Sequence, residues 1–284
     1  MKLFKTGKGI VLSHDEKNYL IDTDWDELIN RENLHSYLLE QTSKNKFILT
    51  AEKQSHWENL QPPIGKQEVW AAGVTYLRSR DARMEESKNS GGATLYDHVY
   101  EADRPELFFK ANASRVAGPG EKVHIRKDSQ WNVPEPELTL FINSKGSLQG
   151  YTIGNDMSSR SIEGENPLYL PQAKIYQRSA AIGPCLYVPG DPLPKTTVIE
   201  MEILRGGEIQ YSDRVPISQI KRTFEELIDY LYRECDFEHG AFLMTGTCLI
   251  PPDGFTLQEN DVVNIKIEPI GVLTNIVAQK KRTN

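Results

Sequence analysis

The sequence predicts a strand-rich α+β fold with a small N-terminal α+β domain (1–65) and a larger domain (66–284). Three observations support this prediction. Short segments of alternating apolar and polar residues, punctuated by glycine and proline, recur from Glu68 onward. One clearly amphipathic helix interrupts them. The turn QPPIG (Gln61–Gly65) marks the boundary, because consecutive prolines interrupt both helices and sheet ladders.

The N-terminal part combines both kinds of element. KLFKTGKGIVLS predicts a β-hairpin, and DWDELINRENLHSYLLEQ has the apolar spacing of a helix. The polar stretch SKNKFILTAEKQ follows, before the prolines. These segments are too few for a large core, so they predict a small unit.

The larger part is predicted to be mostly strands. The strand-like segments are EVWAAGVTY, LFFKA, KVHIRK, ELTLFIN, LQGYTIG, TVIEMEIL and VVNIKIEPI. The helix lies in KRTFEELIDYLYREC, where Thr223 and Glu226 have the spacing of a capping box. Its apolar stripe, typical of core packing, consists of Leu227, Ile228, Leu231 and Tyr232.

Composition excludes several classes of function. The formal net charge of -7 argues against nucleic acid or an anionic membrane as the main partner. No apolar run approaches the roughly 20 residues that span a bilayer, and the N-terminus lacks the apolar core of a signal peptide. The three cysteines are widely spaced, which indicates neither a disulfide framework nor a CxxC metal site. We therefore expect a cytoplasmic protein.

The segment VPEPELTLFIN places two glutamates at the head of an apolar strand. Glu135 and Glu137 point to the same side, because side chains on a strand alternate between its faces. Two like charges on one buried face repel each other, and burial without a counter-ion costs several kcal/mol or forces protonation. The pair therefore predicts either a solvent-exposed face or a bound cation.

A third carboxylate is predicted to join them across a hairpin. If Asn143 pairs with Gly146 in the turn NSKG, Glu135 lies opposite Gly154, and Asp156 follows on the same face. An all-oxygen cluster favours Mg²⁺, with Mn²⁺ or Ca²⁺ as alternatives. The residues alone leave open an exposed strand face with Asp156 capping a turn.

The motifs PEPEL, YTIGNDMSSR, ENPLYLPQAK, AIGP and TGT occur in this order between about Val69 and Val263. This set resembles the fumarylacetoacetate hydrolase family. The resemblance implies a mixed β-sandwich or roll, and a homodimer or higher homo-oligomer. It also implies a divalent cation, usually Mg²⁺, on the carboxylates that match the family's ligands: Glu135, Glu137 and Asp156.

Two further residues match the family's substrate site. The resemblance implies that Lys174, in LYLPQAKIYQ, orients or polarises an oxyanion beside the metal. It also implies that Thr247, in TGTCLIPP, contacts a substrate carboxylate. Without the resemblance, Lys174 would be an ordinary surface lysine and Thr247 an ordinary turn residue.

The segment PELFFKA places Glu106 and Lys110 on one strand face. They could form a structural ion pair. In the functional interpretation, Glu106 is a proton acceptor, and Lys110 is its partner or a ligand of the substrate carboxylate.

An arginine-rich segment, LRSRDARMEESKNSGG, predicts either a solvated helix or a lid. As a lid, it would turn on Gly91 and Gly92 while Arg78, Arg80 and Arg83 bind an anionic substrate. We expect Arg78 and Arg83 to contact the substrate.

The same segment departs from the acylpyruvate-cleaving members, in which a histidine and a glutamate activate water after the matching tyrosine. Those positions hold Ser79 and Ala82, and His98 is the nearest histidine that follows. The phrases GVTYLRSRDAR, FFKA and EGENPLYLPQAK resemble instead the sugar-acid branch of the family. This resemblance implies Mg²⁺-dependent dehydration of a 2-keto-3-deoxy sugar acid. Hydrolysis or decarboxylation of an acylpyruvate or oxaloacetate-like acid, and a non-catalytic metal-stabilised binding protein, are the alternatives.

Overall fold

The computed structural model describes residues 1–44, 60–86 and 93–281. The strands of the first half are β1 (Lys2–Thr6), β2 (Gly9–His14), β3 (Lys17–Ile21), β4 (Glu68–Gly73), β5 (Glu106–Asn112), β6 (Val116–Ala117), β7 (Lys122–Ile125), β8 (Asn132–Val133) and β9 (Pro136–Ile142). Those of the second half are β10 (Leu148–Asp156), β11 (Ser158–Ser159), β12 (Ala180–Tyr187), β13 (Val198–Arg205), β14 (Glu208–Pro216), β15 (Ala241–Met244), β16 (Val262–Ile267) and β17 (Gly271–Gln279). The α-helices are α1 (Trp25–Ile29), α2 (Leu34–Lys44), α3 (Leu77–Glu86), α4 (Ala93–Glu101), α5 (Arg160–Glu165), α6 (Leu170–Lys174) and α7 (Phe224–Tyr232).

Two mixed sheets form the framework, as the sequence predicts. The larger has the order β3-β2-β1-β12-β10-β9-β15-β4-β5, with β6 paired to β12. The other has the order β14-β13-β16-β17-β7. Strands β9 and β10 lie centrally in the large sheet and pair antiparallel, while β15 and β4 pair parallel.

Apolar cores cover both faces of the large sheet. On one face, side chains of β9, β10 and β12 pack against β13, β16 and β17 of the second sheet, with α7 beside them. On the other face, they pack against α1 and α2. Every residue of β9 is therefore buried. A polar side chain at the head of this strand lies in a water-poor environment, which strengthens its electrostatic interactions.

The N-terminal segments join the large sheet directly. β1 pairs antiparallel with β12, and β1 to β3 form its edge. The division into two domains at Gln61–Gly65 stays a prediction.

The single helix predicted for DWDELINRENLHSYLLEQ is wrong: α1 ends at Ile29, and α2 begins at Leu34. Asn33 has a φ of 54°, a left-handed conformation that asparagine tolerates and a helix interior does not. Most of the polar stretch that follows lies outside the described residues.

Helix α7 begins as predicted at Thr223, whose hydroxyl accepts a hydrogen bond from the Glu226 N–H at 3.1 Å. The Glu226 carboxylate pairs with Arg222 at 2.6 Å. Leu227 and Leu231 are buried in the core between the sheets, and the partly buried Ile228 and Tyr232 pack against it, which confirms the apolar stripe.

All three cysteines are free thiols. Among the described residues, no helix has both the length and the apolar character needed to cross a membrane.

Candidate metal centre and active site

Three buried carboxylates meet where β9 begins and β10 ends. Glu135, Glu137 and Asp156 each offer an oxygen, and these oxygens all lie within 4.8 Å of one another. At most 4% of any of the three residues is exposed. The predicted convergence is confirmed, and an exposed strand face is excluded.

The predicted register of this hairpin is wrong, although its conclusion holds. The Asn143 N–H donates to the Ser147 carbonyl at 3.0 Å, so the turn is one residue longer than predicted. A bulge between Leu148 and Gly150 adds a second residue of offset. Because the total shift is two residues, the alternation of faces is preserved.

In the observed register, Glu135 lies opposite Asp156 instead of Gly154. Their backbones exchange hydrogen bonds of 3.2 and 2.9 Å. Glu137 takes the place opposite Gly154. The two prolines before and within the EPE segment mark the entry to a central strand, where a missing N–H is tolerated.

Glu137 is the carboxylate that most needs a counter-ion. Burial and the neighbouring carboxylates of Asp156 and Glu135 raise its pKa well above the ordinary value. The Gly246 N–H donates to Oε2 of Glu137 at 2.5 Å and partly offsets this effect. Three carboxylate oxygens form a hard donor set that fits Mg²⁺, and a divalent cation would relieve their mutual repulsion.

Lys174 ends α6 and is fully buried beside the three carboxylates. Its ammonium donates to Glu135 at 2.6 Å, to Asp156 at 3.2 Å and to the Ser158 hydroxyl at 2.6 Å. Burial opposes the charge, but Asp156 and Glu135 outweigh it and raise the pKa of Lys174 above its ordinary value. The ordinary surface lysine is therefore excluded, and a fixed positive charge stands in the cavity wall.

Lys110 lies behind Asp156 instead of facing a substrate. Its ammonium pairs with Asp156 and donates to the carbonyls of Met157 at 3.0 Å and Lys174 at 2.5 Å. These three contacts use the three donors of an ammonium group. The predicted role as a substrate-carboxylate ligand does not fit this geometry, because no donor is left over.

Two arginines and one further glutamate extend the charged cluster. Arg160 contacts Glu135 at 2.8 Å and Glu163 at 3.7 Å, and Glu163 also pairs with Arg83. All four side chains are buried. Sequence reasoning missed Arg160 and Glu163. The sequence signal for them is a pair of opposite charges three positions apart in SRSIEGE, which begins three residues after Asp156.

Glu106 lies against Gly73, which lines the same cavity, but is not itself a lining residue. Its Oε2 lies 1.9 Å from the point that a Cβ on Gly73 would occupy, so glycine is required for this approach. That oxygen is buried and has no hydrogen-bond partner in the described part of the chain. Burial raises the pKa of Glu106, and Arg83 counteracts this rise. A buried carboxylate with an unused oxygen and a raised pKa has the properties of a general base.

The cavity itself is lined by Ala72, Gly73, Val74, Ser79, Arg83, Phe108, Glu135, Glu137, Asp156, Arg160, Lys174, Gly246 and Thr247. It thus contains the metal centre and the predicted residues Lys174, Thr247 and Arg83. The Ser79 hydroxyl accepts a hydrogen bond from the Tyr76 N–H at 3.3 Å, which caps the first turn of α3, and donates to the Tyr76 carbonyl at 2.7 Å.

Other predicted residues lie elsewhere. The Arg78 guanidinium pairs with Asp213 at 3.1 Å on the surface, outside the cavity lining, and so does not fit a substrate-binding role. Arg80 pairs with Asp81 and Asp97. His98 is exposed on α4. The predicted glycine hinge lies outside the described residues.

The Gly246 backbone supports a first prediction. It has a φ of 92°, and a Cβ there would lie 2.0 Å from the Thr75 hydroxyl oxygen. We expect Gly246→Ala to lower the free energy of unfolding by about 1–3 kcal/mol, and to weaken Mg²⁺ binding because the N–H to Glu137 shifts. Denaturant unfolding and Mg²⁺ titration calorimetry measure the two effects.

Gly254→Ala is the matched control. Gly254 has a φ of 86°, but a Cβ there meets nothing within 4 Å. This variant is expected to share the backbone strain and to bind Mg²⁺ normally. Wild-type stability and Mg²⁺ affinity in Gly246→Ala would contradict the role of this glycine.

The two packed mixed sheets and the buried carboxylate cluster define a class of metal-binding β-rich proteins. The sequence profile described as fumarylacetoacetate (FAA) hydrolase C-terminal matches residues 84–278. The chain belongs to the fumarylacetoacetate hydrolase family.

Two relatives share high sequence identity with the chain. The probable 2-keto-3-deoxyxylonate dehydratase of Haloferax volcanii is 50% identical over 216 residues, which cover 76% of this chain and 73% of the relative. The 2-dehydro-3-deoxy-D-arabinonate dehydratase of Saccharolobus solfataricus is 40% identical over 223 residues, with coverages of 78% and 74%.

A solved structure agrees over the whole chain. It is a 2-keto-3-deoxy-D-arabinonate dehydratase complexed with magnesium and 2,5-dioxopentanoate. The TM-score is 0.85 at 32% identity, covering 99% of this chain and 100% of the other. The mixed-sheet fold predicted from the sequence is confirmed.

Proposed function

We propose that the protein is a Mg²⁺-dependent dehydratase of a 2-keto-3-deoxy sugar acid, such as the arabinonate. The observation that carries this proposal is the cavity that unites a three-carboxylate metal centre with Lys174 and adjoins Glu106. The magnesium and 2,5-dioxopentanoate in the related dehydratase support the same chemistry. Ser79 and Ala82, where acylpyruvate-cleaving members have a histidine and a glutamate, argue against hydrolysis.

The metal would be held by Glu135, Glu137 and Asp156. When bound, Mg²⁺ supplies a Lewis acid that polarises the 2-keto group and lowers the pKa of the C3 protons. Glu106 then removes a C3 proton through its unpartnered Oε2. Loss of the C4 hydroxyl as water, followed by tautomerisation, yields an α-ketoglutarate semialdehyde from the pentonate.

Lys174 and Thr247 have supporting roles in this proposal. The fixed ammonium of Lys174 stabilises the negative charge that develops on the substrate or the departing hydroxyl. Thr247 lines the cavity beside Gly246 and holds the substrate carboxylate. Arg83 lines the same cavity and adds a second cationic contact for the substrate.

The charge balance of the cluster supports a cation together with a monoanionic substrate. With every carboxylate ionised, the five acidic and four basic residues that the structure describes in this cluster carry a net charge of one negative. The nine residues are Glu106, Glu135, Glu137, Asp156, Glu163, Lys110, Lys174, Arg83 and Arg160. A divalent cation changes this balance to one positive, which suits a substrate with one carboxylate.

Two properties of the whole protein belong to the proposal. The resemblance to a commonly dimeric family supports a homodimer or higher homo-oligomer. The three free cysteines support a reducing compartment, the cytoplasm.

A substrate panel tests the reaction class. The protein is incubated with Mg²⁺ and, separately, with 2-keto-3-deoxy pentonates, 2-keto-3-deoxy hexonates, acylpyruvates and oxaloacetate. We expect a dehydrated keto-aldehyde from a 2-keto-3-deoxy acid. Pyruvate release from an acylpyruvate would instead identify a hydrolase, and tight Mg²⁺ binding without turnover a binding protein.

A further inference from the structure

We infer that Glu163 is a positioning residue that keeps Glu135 available to the cation by holding Arg160 away from full pairing with it. Glu163 is absent from the cavity lining and lies behind two arginines that line it. The inference rests on the proposed metal site and extends it to a residue outside the set of ligands.

Four buried side chains of alternating charge lie next to one another at this place. Arg83 pairs with one oxygen of Glu163, Arg160 faces the other at 3.7 Å, and Arg160 contacts Oε1 of Glu135 at 2.8 Å. The carboxylate of Glu163 is 1% exposed. Two arginines and two glutamates therefore alternate in one buried series.

Basic groups contact both oxygens of Glu135, as they do those of Asp156, and so compete with a metal ion for them. Arg160 contacts Oε1 of Glu135, and Lys174 contacts its Oε2 at 2.6 Å. A cation that binds Glu135 must share one of these oxygens. Burial opposes the charge, but Lys174 and Arg160 hold the pKa of Glu135 below its ordinary value.

Arg160 is attracted to both Glu163 and Glu135, so the charge of Glu163 weakens the pairing of Arg160 with Glu135. If Glu163 loses its charge, its attraction for Arg160 is lost, and the pairing of Arg160 with Glu135 strengthens. The cation then meets a stronger competitor for Glu135. Residues that orient metal ligands in this way typically change metal affinity by about 10–100-fold when they are mutated.

The test is isothermal titration calorimetry with Mg²⁺ on the full chain without substrate. We expect Glu163→Gln to raise the Kd by about 10–100-fold. Glu165→Gln is the matched control, because Glu165 belongs to the same helix and is exposed. It removes the same charge two residues away and is expected to leave the Kd unchanged. At saturating Mg²⁺, turnover of Glu163→Gln should recover toward wild type, which a general loss of structure would not allow.

A double-mutant cycle identifies the route of the effect. In an Arg160→Met background, Glu163→Gln is expected to change the Kd no further, because the competitor is gone. A persistent loss would mean that Glu163 acts directly through space and would overturn the inference. If Glu163→Gln does not fold, Glu163→Asp withdraws the charge by one methylene, and a smaller rise in Kd is expected.

An unchanged Mg²⁺ Kd in Glu163→Gln, or in Glu163→Asp if only that variant folds, would also overturn it. Failure of the proposed function gives a different result. A wild-type protein that binds Mg²⁺ but forms no product contradicts the dehydratase and leaves the role of Glu163 in place.

Discussion

Glu137→Gln is expected to abolish turnover and to weaken Mg²⁺ binding on the order of 100-fold or more, since it removes one of three ligands. Wild-type protein gains about 2.7 kcal/mol of stability when free Mg²⁺ is 100 times the Kd, and the variant should gain almost none at that concentration. Thermal unfolding with and without Mg²⁺ measures this difference. Surviving activity would show that Glu137 is not a metal ligand.

Without metal, Glu137→Gln should have a free energy of unfolding at least as large as that of wild-type protein. Asp156 and Glu135 repel the charged form of Glu137 and raise its pKa, so an uncharged amide removes a buried repulsion. The amide oxygen can still accept the Gly246 N–H. Glu208→Gln, an exposed change of the same kind on β14, serves as the control and should alter neither property.

Glu106→Gln is expected to lower kcat by about 10²–10⁴-fold, the usual contribution of a general base. The KM and the Mg²⁺ affinity of this variant should remain near wild type. Among the described residues, Glu106 makes no hydrogen bond to the three carboxylates or to Thr247, which is proposed to bind the substrate carboxylate. Steady-state kinetics and Mg²⁺ calorimetry separate these quantities.

Mg²⁺ binding should distinguish Glu106→Gln, which is expected to retain it, from Glu137→Gln, which is expected to lose it. This difference is the control for the role of Glu106 as the base. A loss of Mg²⁺ binding in Glu106→Gln would move Glu106 into the coordination shell. A kcat within a few-fold of wild type would leave proton removal to another group.

The convergence of the three carboxylates could be predicted from the sequence because strand alternation depends only on parity. Glu135, Glu137 and Asp156 reach one face under any register shift of two residues, and the observed shift is two. The longer turn and the bulge could not be predicted, since they depend on how β10 packs between β9 and β12. The break between α1 and α2 at Asn33 likewise reflects a tertiary constraint that overrides an apolar period.

The surroundings of the metal centre were harder to predict than the ligands. Face alternation placed Lys110 beside Glu106, but a lysine reaches far, and its ammonium pairs with Asp156 on another strand. Arg160 and Glu163 belong to a short helix whose docking depends on contacts distant in sequence. The family resemblance indicated Lys174 correctly as a residue of the cavity, a position that composition alone would have assigned to solvent.

The most direct test of the central claim is proton NMR of one substrate in D₂O. Wild-type protein with Mg²⁺ and 2-keto-3-deoxyarabinonate should form 2,5-dioxopentanoate with deuterium at C3, while Glu137→Gln should form none. Formation of the product requires loss of the C4 hydroxyl, and deuterium at C3 beyond that in a protein-free control requires removal of a C3 proton by the protein. Unchanged substrate with wild-type protein, or cleavage to pyruvate, would contradict the account.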